Sequence, residues 1–152
     1  MPKLSKTVII PHEAENVFDL VADIARYPEF IKWIRSMKVI PGELTGTVRH
    51  YRGEADVGFK GFSERFGTDV AADPEARTIH VNLAHGPFKR LRNHWILRDD
   101  GGNRTAVDFF IDYEFRNPVL SLLARANTEL AVNKIMAAFK AEADRRYGRA
   151  VR

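Results

Sequence analysis

The sequence predicts an α+β domain in which a curved antiparallel sheet wraps around one long C-terminal helix. The stretch from Asn117 to about Tyr147 contains no glycine, and its one proline, Pro118, lies where a helix can begin. Before that stretch, residues 47–116 alternate between apolar and polar side chains, which is typical of strands with one buried face. These two patterns together predict strands that close around a terminal helix.

The first part of the chain predicts one strand followed by two short helices. Lys3–Ile10 is a strand that Pro11 ends, and Glu13–Ile24 carries apolar residues at helical spacing. In the segment Tyr27–Ile34, Pro28 is expected to start a second helical turn in a new direction. Two helices directly after one strand would close one end of the sheet.

The next segments predict antiparallel strands joined by short turns. Lys38–Pro41 is a short strand before a turn over Gly42–Gly46, and Asp100–Asn103 is a hairpin turn with two adjacent glycines. No linker or repeat interrupts them, so we expect six to seven strands in a single domain, 1–152. The longer strands are Thr47–Phe59, Lys60–Ala72, Arg77–Ala84, Phe88–Asp99 and Arg104–Arg116.

The terminal helix carries two apolar stripes. One runs over Val119–Leu130 and the other over Val132–Tyr147, and at about 100° per residue they are offset by roughly 140°. One straight helix cannot bury both against one surface, so either it bends near Asn127–Leu130 or its first half covers something other than the core. We expect the sheet to grip the second stripe, which holds the larger side chains.

The inward face of the predicted sheet is mainly aromatic and aliphatic. Phe109, Ile111 and Tyr113 share that face of the last strand, and acidic residues occupy the other face. A curved sheet around one helix does not close at its ends, which predicts a cavity for an apolar ligand with a few polar groups, Asn93 and Glu64 among them. The alternative is a fully packed core in which the backbone satisfies those groups.

Four short motifs follow one another along the chain. They are Tyr27-Pro28-x-Phe30-x-x-Trp33, the run 55–62, Pro87-Phe88-x-x-Leu91-x-x-x-Trp95, and Tyr113-Glu114-Phe115 before the terminal helix. In this order they resemble the coenzyme Q-binding family, a START-like group within the polyketide cyclase and lipid transport superfamily. That family also contains bacterial ribosome association toxins.

The resemblance implies the helix-grip fold and a cavity for ubiquinone or a similar polyprenyl lipid, in support of respiratory electron transfer. We therefore expect a lipid carrier or chaperone without enzymatic activity, with ubiquinone as bound ligand and no other cofactor or metal. The expected ligand-binding residues are Tyr27, Phe30, Trp33, Val57, Phe59, Phe62, Leu91, Asn93, Trp95, Phe109, Ile111, Tyr113, Met136 and Phe139.

Residue types with catalytic or metal-binding chemistry form no recognisable motif. The absence of cysteine excludes disulfides, thiolate metal sites and cysteine nucleophiles. The five histidines lack metal-ligand spacing, and His80 and His94 are expected on the solvated face of their strands. Glu64 as an acid beside the Asn93 amide would suit a cyclase-like enzyme, which is a third interpretation.

Two basic runs favour a different class of function. Arg49–Arg52 contains Tyr51 and Lys89–Arg92 follows Phe88, a combination of cations and aromatic residues that can contact RNA, and the net charge is +4. The alternative function is therefore a ribosome-binding toxin that blocks subunit association through a basic surface, with the large subunit as partner. Alternation divides each run between two faces, which indicates an ordinary solvated exterior instead.

The chain contains no apolar run that approaches the length of a membrane-spanning helix and no signal peptide. We expect a cytoplasmic protein that contacts the inner membrane peripherally and transiently. The first half of the terminal helix and the segment Tyr27–Ile34 are expected to form a mobile gate that admits the lipid from the membrane surface.

Overall fold

The computed structural model of the protein describes residues 3–59 and 61–148, and the side chains of Phe59 and Phe62 lie outside that description. In chain order the elements are strand β1 (Lys3–Ile10), helix α1 (Ala14–Ala22), a 3₁₀ helix (Ile24–Glu29), strands β2 (Ile34–Thr45), β3 (Val48–Phe59), β4 (Phe62–Asp73), β5 (Thr78–His85), β6 (Phe88–Asp99) and β7 (Thr105–Phe115), and helix α2 (Pro118–Tyr147).

The seven strands form one antiparallel sheet in the order β1-β7-β6-β5-β4-β3-β2. Strands β2 to β7 follow one another as hairpins, and β1 pairs with the last of them. Because β1 and β2 lie at opposite edges, the chain crosses from one edge to the other through α1 and the 3₁₀ helix. The predicted helix-grip architecture is confirmed.

Helix α2 packs its second apolar stripe against the inward face of the sheet. Val132, Met136, Phe139 and Ala143 are all buried, as predicted for this half of the helix. They meet side chains from α1 and from the central strands in one hydrophobic core. Burial of several large side chains at about 1.5–3 kcal/mol each is what holds α2 in the sheet.

The start of α2 matches the prediction from its capping residues. The Asn117 side-chain oxygen accepts hydrogen bonds from the backbone N–H of Val119 at 2.8 Å and of Leu120 at 3.3 Å. These contacts satisfy two N–H groups that have no partner within the helix. Pro118 occupies the first helical position, where its missing N–H removes no hydrogen bond.

The first apolar stripe of α2 faces outward. Val119, Leu122 and Leu130 are 57%, 69% and 55% exposed, while Leu120 on the opposite side is buried. The first half of the helix thus presents to solvent an apolar stripe that does not cover the core. None of the helices within 3–59 and 61–148 is long and apolar enough to cross a membrane.

Two local predictions were wrong. The short strand Lys38–Pro41 is part of the 12-residue strand β2, which continues through the expected turn. A break in register between Pro41 and Leu44 explains this, because an edge strand tolerates proline and a bulge absorbs the extra residues. The second helix, which was expected to start at Pro28, is a 3₁₀ helix that begins at Ile24 and contains Pro28.

Candidate functional site

The space between α2 and the sheet is closed at one end and open at the other. On β5, Ile79 is buried, whereas Val81 and Leu83 on the same face are half-buried. On β7, Phe109 is buried and Ile111 is half-buried. Leu91 and Phe88 of the intervening strand β6 stay buried. We therefore use the word groove for the partly exposed apolar surface that the inward side chains of β5 and β7 form at this end.

The closed end lies under the second half of α2 and is packed with aromatic rings. The Trp95 ring meets Phe109 edge-on at 4.9 Å and Phe139 at 5.1 Å between centroids. From the 3₁₀ side, Tyr27 and Phe30 each pack on Phe139 at 5.2 Å. Trp95, Phe109 and Met136, expected to border a void, are at most 5% exposed and belong to this closed end.

Asn93 provides a polar group at the boundary between closed end and groove. Its side-chain nitrogen donates to the Phe110 carbonyl at 2.8 Å, and its oxygen accepts from the Trp95 indole N–H at 2.7 Å. The amide oxygen is thus engaged, while one of its two N–H groups remains for a ligand. Asn93 therefore fixes the Trp95 ring and can also donate a hydrogen bond into the groove.

Tyr113 ties the groove floor to the first half of α2. Its hydroxyl lies 2.6 Å from the Thr128 hydroxyl, which donates in turn to the Ala124 carbonyl at 2.6 Å. Because the Thr128 hydroxyl already donates its proton to the Ala124 carbonyl, the Tyr113 hydroxyl is the donor in its bond to Thr128. Burial raises the pKa of Tyr113, so the phenol is neutral at physiological pH. This hydrogen bond spans the groove.

Three further aromatic residues surround the groove beyond Tyr113. Phe88 stacks on Phe115 at 4.5 Å and meets Phe66 edge-on at 5.2 Å. Gly86 permits this arrangement, since its φ of 141° suits glycine and an added Cβ would collide with Phe66. These three phenylalanines were absent from the expected binding set. Alternation was an available signal for Phe66 and Phe115, but it assigns Phe88 to the outer face, and only the register shift between Phe88 and Arg90 turns that side chain inward.

The remaining expected residues differ in burial. Trp33 and Val57 are half-buried, Leu91 is buried, and the side chains of Phe59 and Phe62 lie outside the described residues. Glu64 is half-buried on the inward face of β4, and no hydrogen bond or ion pair joins it to another described residue. The structure therefore brings most of the expected set to one groove and its closed end.

The outer face of the sheet holds its basic residues in ion pairs. Arg90 lies 3.0 Å from Asp112 and 2.7 Å from Glu114, and Arg92 lies 3.2 Å from Asp112. Asp112 is 2% exposed, and its hydrogen bond to Arg90 holds its pKa below the usual value. The basic run Lys89–Arg92 is thus largely neutralised by the neighbouring strand.

Comparison with known proteins agrees with this architecture. Residues 10–140 match the family described as polyketide cyclase / dehydrase and lipid transport. The chain is 31% identical to the ribosome association toxin RatA of Escherichia coli over 141 residues, which is 90% of the chain and 84% of RatA. It is 28% identical to the mitochondrial coenzyme Q-binding protein coq10 of Schizosaccharomyces pombe over 89% of the chain and 82% of coq10.

A solved structure gives the same result for the fold. The solution structure of the 18 kDa protein CC1736 from Caulobacter crescentus superposes with a TM-score of 0.82 and shares 37% sequence identity. The similarity covers 98% of this chain and all of that protein. The two proteins thus share the fold, and because the family match spans residues 10–140, the chain belongs to the polyketide cyclase / dehydrase and lipid transport family.

Proposed function

We propose that the protein binds a hydrophobic polyprenyl lipid, with ubiquinone as the expected ligand, and carries or shields it without chemical change. One observation carries the proposal, namely the change from buried to half-buried inward side chains along β5 and β7, the two strands on either side of β6. It leaves an apolar groove under the first half of α2. The name of the fission yeast relative as a coenzyme Q-binding protein supports the same ligand class.

The lining of the groove favours an apolar chain. Val81, Leu83 and Ile111 lie on its floor, and Phe66 and Phe115 surround its far end. Each buried CH₂ contributes about 0.8 kcal/mol, so one five-carbon prenyl unit contributes about 4 kcal/mol when fully covered. A chain of several such units would bind strongly through this term alone.

The polar groups suit a carbonyl-bearing ring. Asn93 retains one N–H that can donate to a quinone oxygen, whereas Tyr113, having donated its proton to Thr128, can only accept a hydrogen bond and so does not bind the quinone carbonyl. Both side chains also have structural roles, since the Asn93 oxygen accepts from the Trp95 indole N–H and the Tyr113 hydroxyl is hydrogen-bonded to Thr128 of α2. Groups committed in this way support a binding role better than an acid–base role.

Extraction of lipid from the purified protein tests the proposal. We expect a quinone in the organic extract of the wild-type protein, detected by mass spectrometry. Ile111→Asn places an amide on the groove floor and should remove the quinone. Phe110→Asn, its matched control on the outer face of the same strand, should retain it. A wild-type protein that carries no quinone after expression in quinone-producing cells contradicts the proposal.

The exposed stripe of α2 supplies a surface for contact with a membrane. Val119, Leu122 and Leu130 are exposed on the outer side of the first half of α2, and Arg125 and Lys134 have no ion-pair partner among the described residues. Apolar side chains flanked by free cations suit an anionic bilayer surface. A lipid that enters beneath this stripe would then avoid crossing water.

Binding to the ribosome is a second candidate. It is favoured by the RatA relatives, of which the Escherichia coli protein is slightly more similar to this chain than coq10 is. The ion pairs of Arg90 and Arg92 oppose the particular surface expected from the sequence. Arg49, which is exposed and has no ion-pair partner within the described part of the chain, is the better candidate for an RNA contact.

A further inference from the structure

Two histidines that are 14 positions apart in the chain meet on the outer face of the sheet. His80 of β5 and His94 of β6 are directly opposite each other in the strand register. Their ring centroids lie 4.4 Å apart with an interplanar angle of 64°. The groove is on the other side of the sheet, because Ile79 and Trp95, the neighbours of these histidines, point into the core.

The ring nitrogens of this pair are available. No described residue forms a hydrogen bond with either ring, whereas His12 and His85 are held by Asp144 and Glu54 at 2.8 Å. Burial, then His80 and Arg92, lower the pKa of His94.

The separation of the rings suits one shared metal ion. A metal lies about 2.0–2.1 Å from an imidazole nitrogen and so about 3.2 Å from the ring centroid. Two rings that meet at roughly 90–109° around one ion then have centroids about 4.5–5.2 Å apart. The observed 4.4 Å differs from this range by an amount that a small side-chain rotation removes.

We propose that His80 and His94 form a two-histidine site for a nitrogen-preferring divalent transition metal ion, namely Cu²⁺, Ni²⁺ or Zn²⁺. Within residues 3–59 and 61–148 no cluster of three or more potential ligands exists, so water fills the remaining positions. The acids that flank this pair in the strand register have other partners: Asp112 pairs with Arg90 and Arg92, Asp108 with Arg98, Asp69 with Arg52, and Asp73 accepts from Thr47. Neutral nitrogen donors without a carboxylate exclude hard cations such as Mg²⁺ and Ca²⁺.

Calorimetric titration of the untagged full-length protein with CuCl₂, NiCl₂ and ZnCl₂ in separate experiments tests this site. We expect one ion per chain and the tightest binding for Cu²⁺. His80→Ala and His94→Ala should each weaken Ni²⁺ binding about tenfold or more, because each variant keeps only one of the two histidine ligands that bind the ion together in the wild type. His50→Ala is the matched control, since Ala71 separates His50 from His80 in the same outer row.

Two results would overturn the proposal. One is a wild-type protein that binds none of the three ions, and the other is equal affinity in the wild type and His94→Ala. Nuclear magnetic resonance of the wild type provides a second measurement that needs no variant. Substoichiometric Ni²⁺ should broaden the ring signals of His80 and His94 together, and broadening of only one of them, or of His50 first, also refutes the site.

Discussion

At the scale of the residue, successive inward positions on one strand have different roles, one in the core and one in the groove. Phe109 is buried against Trp95 at the closed end, and Ile111, two positions later, is half-buried on the groove floor. The same strand therefore supplies a core residue and a binding residue, and the contacts of each with α2 decide which it is.

Phe109→Ala and Ile111→Ala should separate stability from ligand binding. Phe109→Ala should lower the free energy of unfolding by about 3–5 kcal/mol because it leaves a cavity in packed core. Ile111→Ala should cost about 1–2 kcal/mol, since less of its surface is buried, and should reduce quinone retention more than Phe109→Ala does. Urea denaturation and lipid extraction measure the two effects, and equal stability losses would mean that the groove floor is packed core.

Glu142 should make stability depend on pH. Its carboxylate is buried and accepts from Arg145 at 2.9 Å and Arg146 at 2.7 Å, and these hydrogen bonds lower its pKa from 4.5 to about 2. Because the pKa of Glu142 is lower in the folded state than in the unfolded state, its ionised carboxylate stabilises the fold above about pH 4.5. This stabilisation is lost as the pH falls toward 2.

Glu142→Gln should accordingly lower the free energy of unfolding by about 1–3 kcal/mol at pH 6 and by little at pH 2.5. Urea denaturation across this range measures the difference between variant and wild type. Other acids titrate equally in both proteins, so the difference isolates Glu142. A difference that does not change with pH would mean that packing, and not charge, explains the effect.

At the scale of the element, α2 is one continuous helix with two unlike halves. Its second half is embedded in aromatic and aliphatic core, and Arg146 lies over the Phe30 ring at 5.7 Å. Its first half is anchored by Leu120 and by the Tyr113–Thr128 hydrogen bond, with the apolar stripe outside. The expected gate partner, the segment Tyr27–Ile34, packs through Tyr27 and Phe30 on the second half.

Hydrogen exchange should follow this division. Amides of Leu120–Ala126 should exchange faster than those of Ile135–Phe139, because fewer buried contacts oppose local opening of the first half. Anionic phospholipid vesicles or quinone should slow exchange in the first segment only. Mass-spectrometric exchange of peptides from both segments measures this, with neutral phosphatidylcholine vesicles as the control for charge. Equally slow exchange in both segments, unchanged by vesicles, would contradict the hypothesis that the first half of α2 forms a gate.

At the scale of the whole molecule, the two faces of the sheet have separate chemistry. The inward face is apolar and open at one end, and the outer face is covered by ion pairs such as Arg98–Asp108 at 2.7 Å. Paired charges retain little attraction for RNA phosphates, so binding to ribosomes would depend on the unpaired cations.

Ribosome cosedimentation over a range of salt concentrations should identify those cations. If the second candidate function holds, Arg49→Gln should weaken binding and lower the slope of log K against log salt by about one unit. Arg92→Gln should have a smaller effect, because Arg92 is already paired with Asp112. Wild-type protein that fails to cosediment at low salt would eliminate this function, whereas equal effects of both variants would implicate the outer face.

The sequence by itself determined the order of the elements, an antiparallel sheet of six to seven strands and the inward residues of most strands. These features follow from local patterns, namely the capping of α2 by Asn117 and the period-two alternation of the strands. The gripped half of α2 was also predictable, because side-chain size and helical spacing are properties of the chain alone. Local patterns failed at β2, where an edge position and a bulge allow a strand through Pro41 and Gly42.

Only the tertiary structure decided which inward residues are core and which line the groove. Phe109 and Ile111 are equivalent in the alternation, and the position of α2 above them makes the difference. Strand register likewise joined Arg90 to Asp112 and placed His80 opposite His94. Such pairings depend on hydrogen bonds between strands that are distant in the chain, and no local spacing specifies them.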